Sequence, residues 1–166
     1  YPFKESILSA LEFCDEFILL YADSKDDTEQ ELAKLAHEHP KIRLIKTEWD
    51  KGTKQKGERL KLLADEAMSY CQGDWVMQIQ ADEIYHERDY LHLRELIKQY
   101  QQTEVNAFAF PILHFYGSYE NVVSKAGFQI GWYQKCIRLS RRETFHHIDD
   151  AWTMAGTGKI IEEAIP

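Results

Sequence analysis

Two hydrophobic periods alternate along residues 4–101, and that alternation constrains the fold more than any other feature of the chain. Ile7, Ala10, Leu11 and Cys14 recur at helical spacing and predict a helix over 4–14. The short apolar run from Glu16 to Tyr21 reads as a strand buried in a parallel sheet. Thr28 with Glu31 three residues on spells a capping box; Leu32, Leu35, Ala36 and His39 line one face of the helix it opens, and Pro40 stops it. Ile42 to Ile45 is the next predicted strand. Leu60, Leu63, Ala64, Ala67 and Cys71 stripe a third helix, and Trp75 to Ile79 is a third strand. Leu93, Leu96, Ile97 and Tyr100 mark a helix over about 87–101. The order α-β-α-β-α-β-α implies an α/β fold, a mostly parallel open sheet with helices on both faces, because parallel neighbours need helical crossovers. After residue 104 the pattern changes. Val105 to Phe115 and Trp132 to Leu139 read as later strands, some antiparallel, around a loop from Gly117 to Gly131.

At 166 residues the chain suits a single domain, 1–166. Its 44% hydrophobic and 29% charged residues are those of a globular sequence and not a disordered one. A formal net charge of −8 repels nucleic-acid backbones and anionic membranes, so no nucleic-acid partner is expected. Cys14, Cys71 and Cys136 are odd in number and form no CxxC, which suits a reducing compartment and small core residues in place of a disulfide framework. No apolar run approaches the ~20 residues of a membrane span, and no signal peptide is visible. A cytoplasmic location follows, with a peripheral seat at the inner face of the membrane left open. The first residue is Tyr1 and not Met, so part of the natural N-terminus is expected to be missing.

In open parallel sheets ligands bind at the carboxyl ends of the strands. The three such ends lie at 22–27, 47–57 and 80–86, and all are polar. The first holds Asp23, Ser24, Lys25, Asp26 and Asp27. An acid there accepts bonds from a base N–H or a ribose hydroxyl, though Asp and Ser are also what a turn and helix N-terminus favour. The second crowds Lys51, Lys54, Lys56 and Arg59 around Gly52 and Gly57 at the start of a helix, where a diphosphate would sit well; a solvated surface loop reads the same way. The third follows a buried strand with Asp82 and Glu83, and His86 close behind. Such oxygen ligands suit Mg²⁺ or Mn²⁺ bridging a carboxylate to a phosphate, with His86 able to add a nitrogen; an acid-rich helix start is the alternative.

These segments resemble glycosyltransferase family 2, whose members have the GT-A fold of nucleotide-diphosphosugar transferases. Asp15 to Leu20, continuing through Asp23-Ser24-Lys25-Asp26-Asp27-Thr28, is similar to that family's strand and donor-base loop. Gly73-Asp74-Trp75 through Gln80-Ala81-Asp82-Glu83 is similar to its strand with the metal motif. Gln80 to Glu83 with His86-Glu87, then His114 to Tyr119, then Trp132-Tyr133 to Arg138, resemble a bacterial branch of the family. The resemblance spans about residues 2–140 and divides the chain into a nucleotide-binding part, 1–103, and an acceptor-side part, 104–166.

The resemblance implies a metal-assisted, inverting transfer of a sugar from a nucleotide-diphosphate donor to an acceptor hydroxyl, saccharide or other, with Mg²⁺ or Mn²⁺ as cofactor. It implies nucleotide binding by Asp23, Ser24, Lys54, Lys56, Gln80 and Asp82, and metal binding by Asp82, Glu83 and His86. Asp149 and Asp150 stand roughly where the family places its acceptor-side acid and are the catalytic candidates, although a solvated turn accounts for that pair as well. Trp132, Tyr133, His114 and Tyr116 are either sugar-stacking or core aromatics. Three departures stand out. Gln80 puts a neutral amide where the family's first acid falls, Ala64-Asp65 replaces an Arg-Asn pair, and the family's first strand lies before Tyr1 or is absent. Two other functions share this scaffold: a nucleotidyltransferase of related fold, and a non-catalytic carbohydrate- or protein-binding module. The seven histidines show no HExxH pattern, which argues against a zinc hydrolase.

Overall fold

Three apolar clusters organise the described residues. In the computed structural model the described residues are 2–48, 56–124 and 134–162, with only the backbone described at 56. Helix α1 (Phe3–Leu11), strand β1 (Phe17–Tyr21), helix α2 (Thr28–Glu38), strand β2 (Ile42–Lys46) and helix α3 (Lys56–Ser69) come first in the chain. β1 and β2 pair in parallel, Phe17 opposite Ile42 through Tyr21 opposite Lys46. Ile7 and Leu11 of α1 and Leu32 and Leu35 of α2 close over Phe17, Leu19, Ile42 and Leu44, one face of that pair. Arg43, on the opposite face, lies over the Tyr70 ring just past α3, and α3 itself lies against β1.

The α2 start differs from the sequence reading. Thr28 is already helical, so no capping box forms. Asp27 takes the N-cap position without a side-chain bond, Asp26 Oδ1 accepts from Thr28 N, and Glu31 pairs with Lys4. Likewise β1 is half-buried along its whole length and not fully buried, since within the described residues only its β2 edge is paired.

The second cluster packs β3 (Trp75–Met77), α4 (Tyr90–Tyr100), β4 (Val105–Pro111) and β7 (Lys135–Arg141). Leu93 and Leu96 of α4 lie on Val105, Phe108, Phe110 and Leu139, with Trp75 and Tyr100 rings against Phe108. β5 (Phe115–Tyr116) and β6 (Ser118–Val122) form a hairpin, turned at Gly117 with φ 74°. β8 (Phe145–Ile148) and β9 (Thr153–Gly156) form another, whose Phe145 and Met154 cover Ala107, Ala109 and Ile137 on the face away from α4. β10 (Lys159–Glu162) pairs with β4.

The sheet is less parallel than expected. The four-stranded sheet runs β10-β4-β7-β3, parallel between β10 and β4 and antiparallel at β4–β7 and β7–β3. The reason is topological. Helical crossovers connect β1, β2 and β3, but among the described residues no helix lies between β4 and β7, and β7 enters antiparallel. Among the described residues no ladder joins β1–β2 to the four-stranded sheet. No helix among them is long and apolar enough to cross a membrane.

Candidate active site

The third strand end is built first. Regular pairing of β3 stops at Met77, yet Gln78 N still donates to Arg138 O at 2.8 Å, and the chain then turns through 79–86. Glu83 N donates to Gln80 O at 3.0 Å and the Glu83 carboxylate accepts from Gln80 N at 3.1 Å, closing the turn on itself. Helix α1 pins it from below. Ser6 Oγ donates to Gln80 O at 2.8 Å, and Ser9 Oγ accepts from Tyr85 N at 3.1 Å. The Tyr85 hydroxyl donates to Gln78 O at 2.5 Å. Asp82 and His86 are left exposed on this turn.

The second segment, the tight turn between β8 and β9, carries Asp149 and Asp150. Asp149 has φ 52° and Ala151 φ 65°, left-handed conformations that cost a non-glycine residue on the order of 1–3 kcal/mol each and persist only where surroundings hold them. Here Gln78 Nε2 and Gln80 Nε2 both donate to Ala151 O, at 2.9 and 3.1 Å, Arg138 Nη1 donates to Trp152 O at 2.6 Å, and Trp152 Nε1 donates to Asp149 Oδ2 at 3.1 Å. The third strand end and the acidic turn are thereby tied to one another. Gly57, in the first turn of α3, packs against the same acidic turn. A Cβ there would lie 3.3 Å from Asp149 O and Asp150 Cβ, tighter than ordinary contact. Between them opens a cavity of about 590 Å³ lined by Gly57, Glu58, Lys61, Asp149, Asp150 and Trp152.

The model of glycosyl transferase family 2 matches residues 3–157. The chain belongs to that family. Among curated proteins no match is found. The family carries with it the GT-A type of α/β fold and a transferase acting with nucleotide-sugar donor and acceptor.

The residues expected of such an enzyme fall into three groups. Asp149 and Asp150 line the cavity, and Gln80 reaches the turn that bears them. Asp23 and Ser24 stand at the end of β1, 87% of the Asp23 side chain exposed and paired with Lys46 Nζ at 2.9 Å; neither lines the cavity. Ser24 Oγ and Thr28 N donate to Asp26, and those bonds, Ser24 first, hold its carboxyl down to about 2. Lys54 and the side chain of Lys56 lie outside the described residues, as do Trp132 and Tyr133.

A divalent cation finds few ligands. Glu83 is engaged by Arg138, whose Nε reaches Oε2 at 3.1 Å while Nη2 closes on Oε1; Arg138 is buried at 2% exposed and Glu83 half-buried at 18%. His86 Nδ1 accepts from Arg88 N at 3.2 Å. No group of three or more His, Cys, Asp or Glu could hold a metal among the described residues. Asp82 alone remains, and one carboxylate suits Mg²⁺ or Mn²⁺ only when substrate phosphates supply most of the remaining ligands.

Sequence reasoning missed the residues that build this site: Ser6, Ser9, Gln78, Tyr85 and Arg138. One signal was available. An arginine between Ile137 and Leu139 in an apolar strand must find an acid or the strand cannot be buried. It also missed the Asp65–His147 pair, which ties α3 to β8: Asp65 Oδ1 sits 2.7 Å from both N and Nδ1 of His147. Burial holds the His147 imidazole below its ordinary value, opposing the Asp65 carboxylate. Cys136 is buried in the core as expected, while Cys14 and Cys71 are half-buried. All three are free, and burial pushes the Cys71 thiol to about 11 and that of Cys136 to about 12, far from a nucleophile at neutral pH.

Proposed function

We infer that the chain moves a sugar from a nucleotide-diphosphate donor to an acceptor hydroxyl, with inversion and with help from Mg²⁺ or Mn²⁺. The observation that carries this reading is the tie between the donor-side strand end and the acidic turn, Gln78 and Gln80 on Ala151 O, beside a cavity with two carboxylates in its wall. Asp23 and Ser24 would meet the nucleotide, with Lys54 and Lys56 on the diphosphate side. Asp82 would hold the cation together with the donor phosphates. When bound, the cation neutralises charge developing on the leaving diphosphate. Asp150 would take the acceptor hydroxyl proton as general base, while Asp149, held by the Trp152 indole, orients the acceptor. Attack from the face opposite the leaving diphosphate inverts the anomeric carbon. Three free cysteines fit a cytoplasmic setting.

A ligand that binds only the folded state raises its melting temperature. Mn²⁺ with UDP-, GDP-, CDP- or dTDP-sugars should therefore raise Tm, with one nucleotide standing out and Asp82→Asn removing the cation's share. No shift with any member of the panel would contradict the reading. A shift without sugar transfer would favour a binding module, and product formation from a nucleoside triphosphate would favour a nucleotidyltransferase.

A further inference from the structure

We propose that Arg138 is a positioning residue that holds the Asp82 turn and the Asp149–Trp152 turn in one fixed arrangement, with Glu83, Gln78 and Gln80 as its clamp. This rests on the transfer reading above only for what the arrangement does, and not for its existence.

Arg138 sits at an irregularity of the sheet. Phe108 pairs with Leu139 and Ala109 with Ile137, so Arg138 has no partner residue on β4. An extra residue of this kind re-aims a side chain and occurs often beside active sites. The re-aimed guanidinium is 2% exposed and spends its fork on three different segments. Nε and Nη2 take Glu83 in the Asp82 turn, Nη1 takes Gln78 Oε1 at 3.2 Å, and Nη1 also takes Trp152 O at 2.6 Å. Because its oxygen faces Arg138, Gln78 must turn its Nε2 outward, where it meets Ala151 O at 2.9 Å. Gln80 adds a second donor to the same carbonyl. These donors hold the strained backbone of Asp149 and Ala151 in place.

The clamp explains two features of the sequence. Glu83 serves Arg138 and not a cation. Gln80 stands where the family's first acid falls because a carboxylate has no N–H to give Ala151 O, whereas an amide has. The chain has exchanged a possible ligand for a donor that joins the two halves of the site. Lysine cannot replace Arg138, since one ammonium on a flexible stem cannot reproduce a planar fork reaching three segments.

The test uses the full chain and the variants Arg138→Lys, Glu83→Gln and Gln80→Glu. Hydrogen exchange is followed in the peptides over 78–86 and 148–153, and kcat and KM are measured for the donor found by the thermal-shift panel. Arg138→Lys and the milder Glu83→Gln should speed exchange in both segments together, by about tenfold or more, and leave α2 and β2 unchanged. They should lower kcat at least about tenfold with donor KM within about threefold. Gln80→Glu restores the family's acid yet should lower kcat and not raise it. Exchange that rises in one segment only, or equally throughout the chain, overturns the clamp. So does wild-type kcat in Arg138→Lys, or an effect confined to KM. If the wild type transfers no sugar, the transfer reading fails by itself, and the exchange pattern alone decides the clamp.

Discussion

The two halves of this protein bury different kinds of group. Around β1 and β2 the interior cluster is Ile7, Leu11, Leu32, Leu35 and Ile42, and Ser6, also buried on α1, donates to Gln80 O toward the other half. Around β7, β8 and β9 the interior includes Arg138, Ser140, His147 and Thr153, and the bonds drawn from them run to other segments of the chain. Apolar burial is non-directional and fails by degrees, in proportion to the area or volume lost. A buried polar network is directional, and each member depends on the others. The first half therefore acts as scaffold, and the second carries the constraint that places the acids.

The largest effect should come from removing one partner of the buried ion pair. Arg138→Met leaves Glu83 half-buried without its cation and should cost about 3–5 kcal/mol. Adding Glu83→Gln should return part of that loss in a double-mutant cycle followed by chemical denaturation. Additive losses would mean that the two residues act separately and would erase the contrast between the halves. In the apolar half, Leu35→Ala should cost about 2–5 kcal/mol without any coupling to Arg138→Met.

How far the fold could be read from the sequence follows the same division. Helices α1 to α4 and the strands between them were legible because period and burial there are local matters. In the 105–162 region the strands at β4 and β7 and an antiparallel pairing were legible, whereas β6, inside the expected loop, and the one-residue irregularity at Arg138 were not, since these depend on partners outside the local pattern. The candidate site was legible as residue types but not in its assembly. Asp149 and Asp150 were found as a pair and do line a cavity, whereas Glu83 looked like a ligand because nothing in its own neighbourhood names Arg138, 55 positions on. Thr28 misled for the opposite reason: Asp26 and Asp27, immediately upstream, took over the helix start.

A smaller effect sharpens the comparison through pH. His147 is buried and donates Nδ1–H to Asp65 when neutral; its Nε2 is buried with no hydrogen-bond partner among the described residues. A second proton would place an unsatisfied donor there. With its folded value below the ordinary 6.5, His147 contributes stability above that value that is lost as pH falls through the folded value. Tm should drop as pH is lowered from 7.5 toward about 5, and His147→Gln should flatten that part of the curve. A profile unchanged by the substitution would show that the pair carries no pH dependence. The smallest effect belongs to the exposed Lys46 pairs with Asp23 and Glu29. Lys46→Met should leave Tm unaltered within error, because exposed ion pairs contribute little.

The most direct test of the central claim is the release of nucleoside diphosphate from a donor sugar by wild type, Asp82→Asn and Asp150→Asn in the presence of Mn²⁺ and acceptor. If the strand end and the acidic turn are two sides of one transfer site, the wild type turns over. Asp82→Asn then loses metal-dependent donor binding, and Asp150→Asn keeps donor binding while kcat falls about 10²–10⁴-fold. Wild-type turnover in Asp150→Asn, or donor binding indifferent to Asp82, would contradict the account.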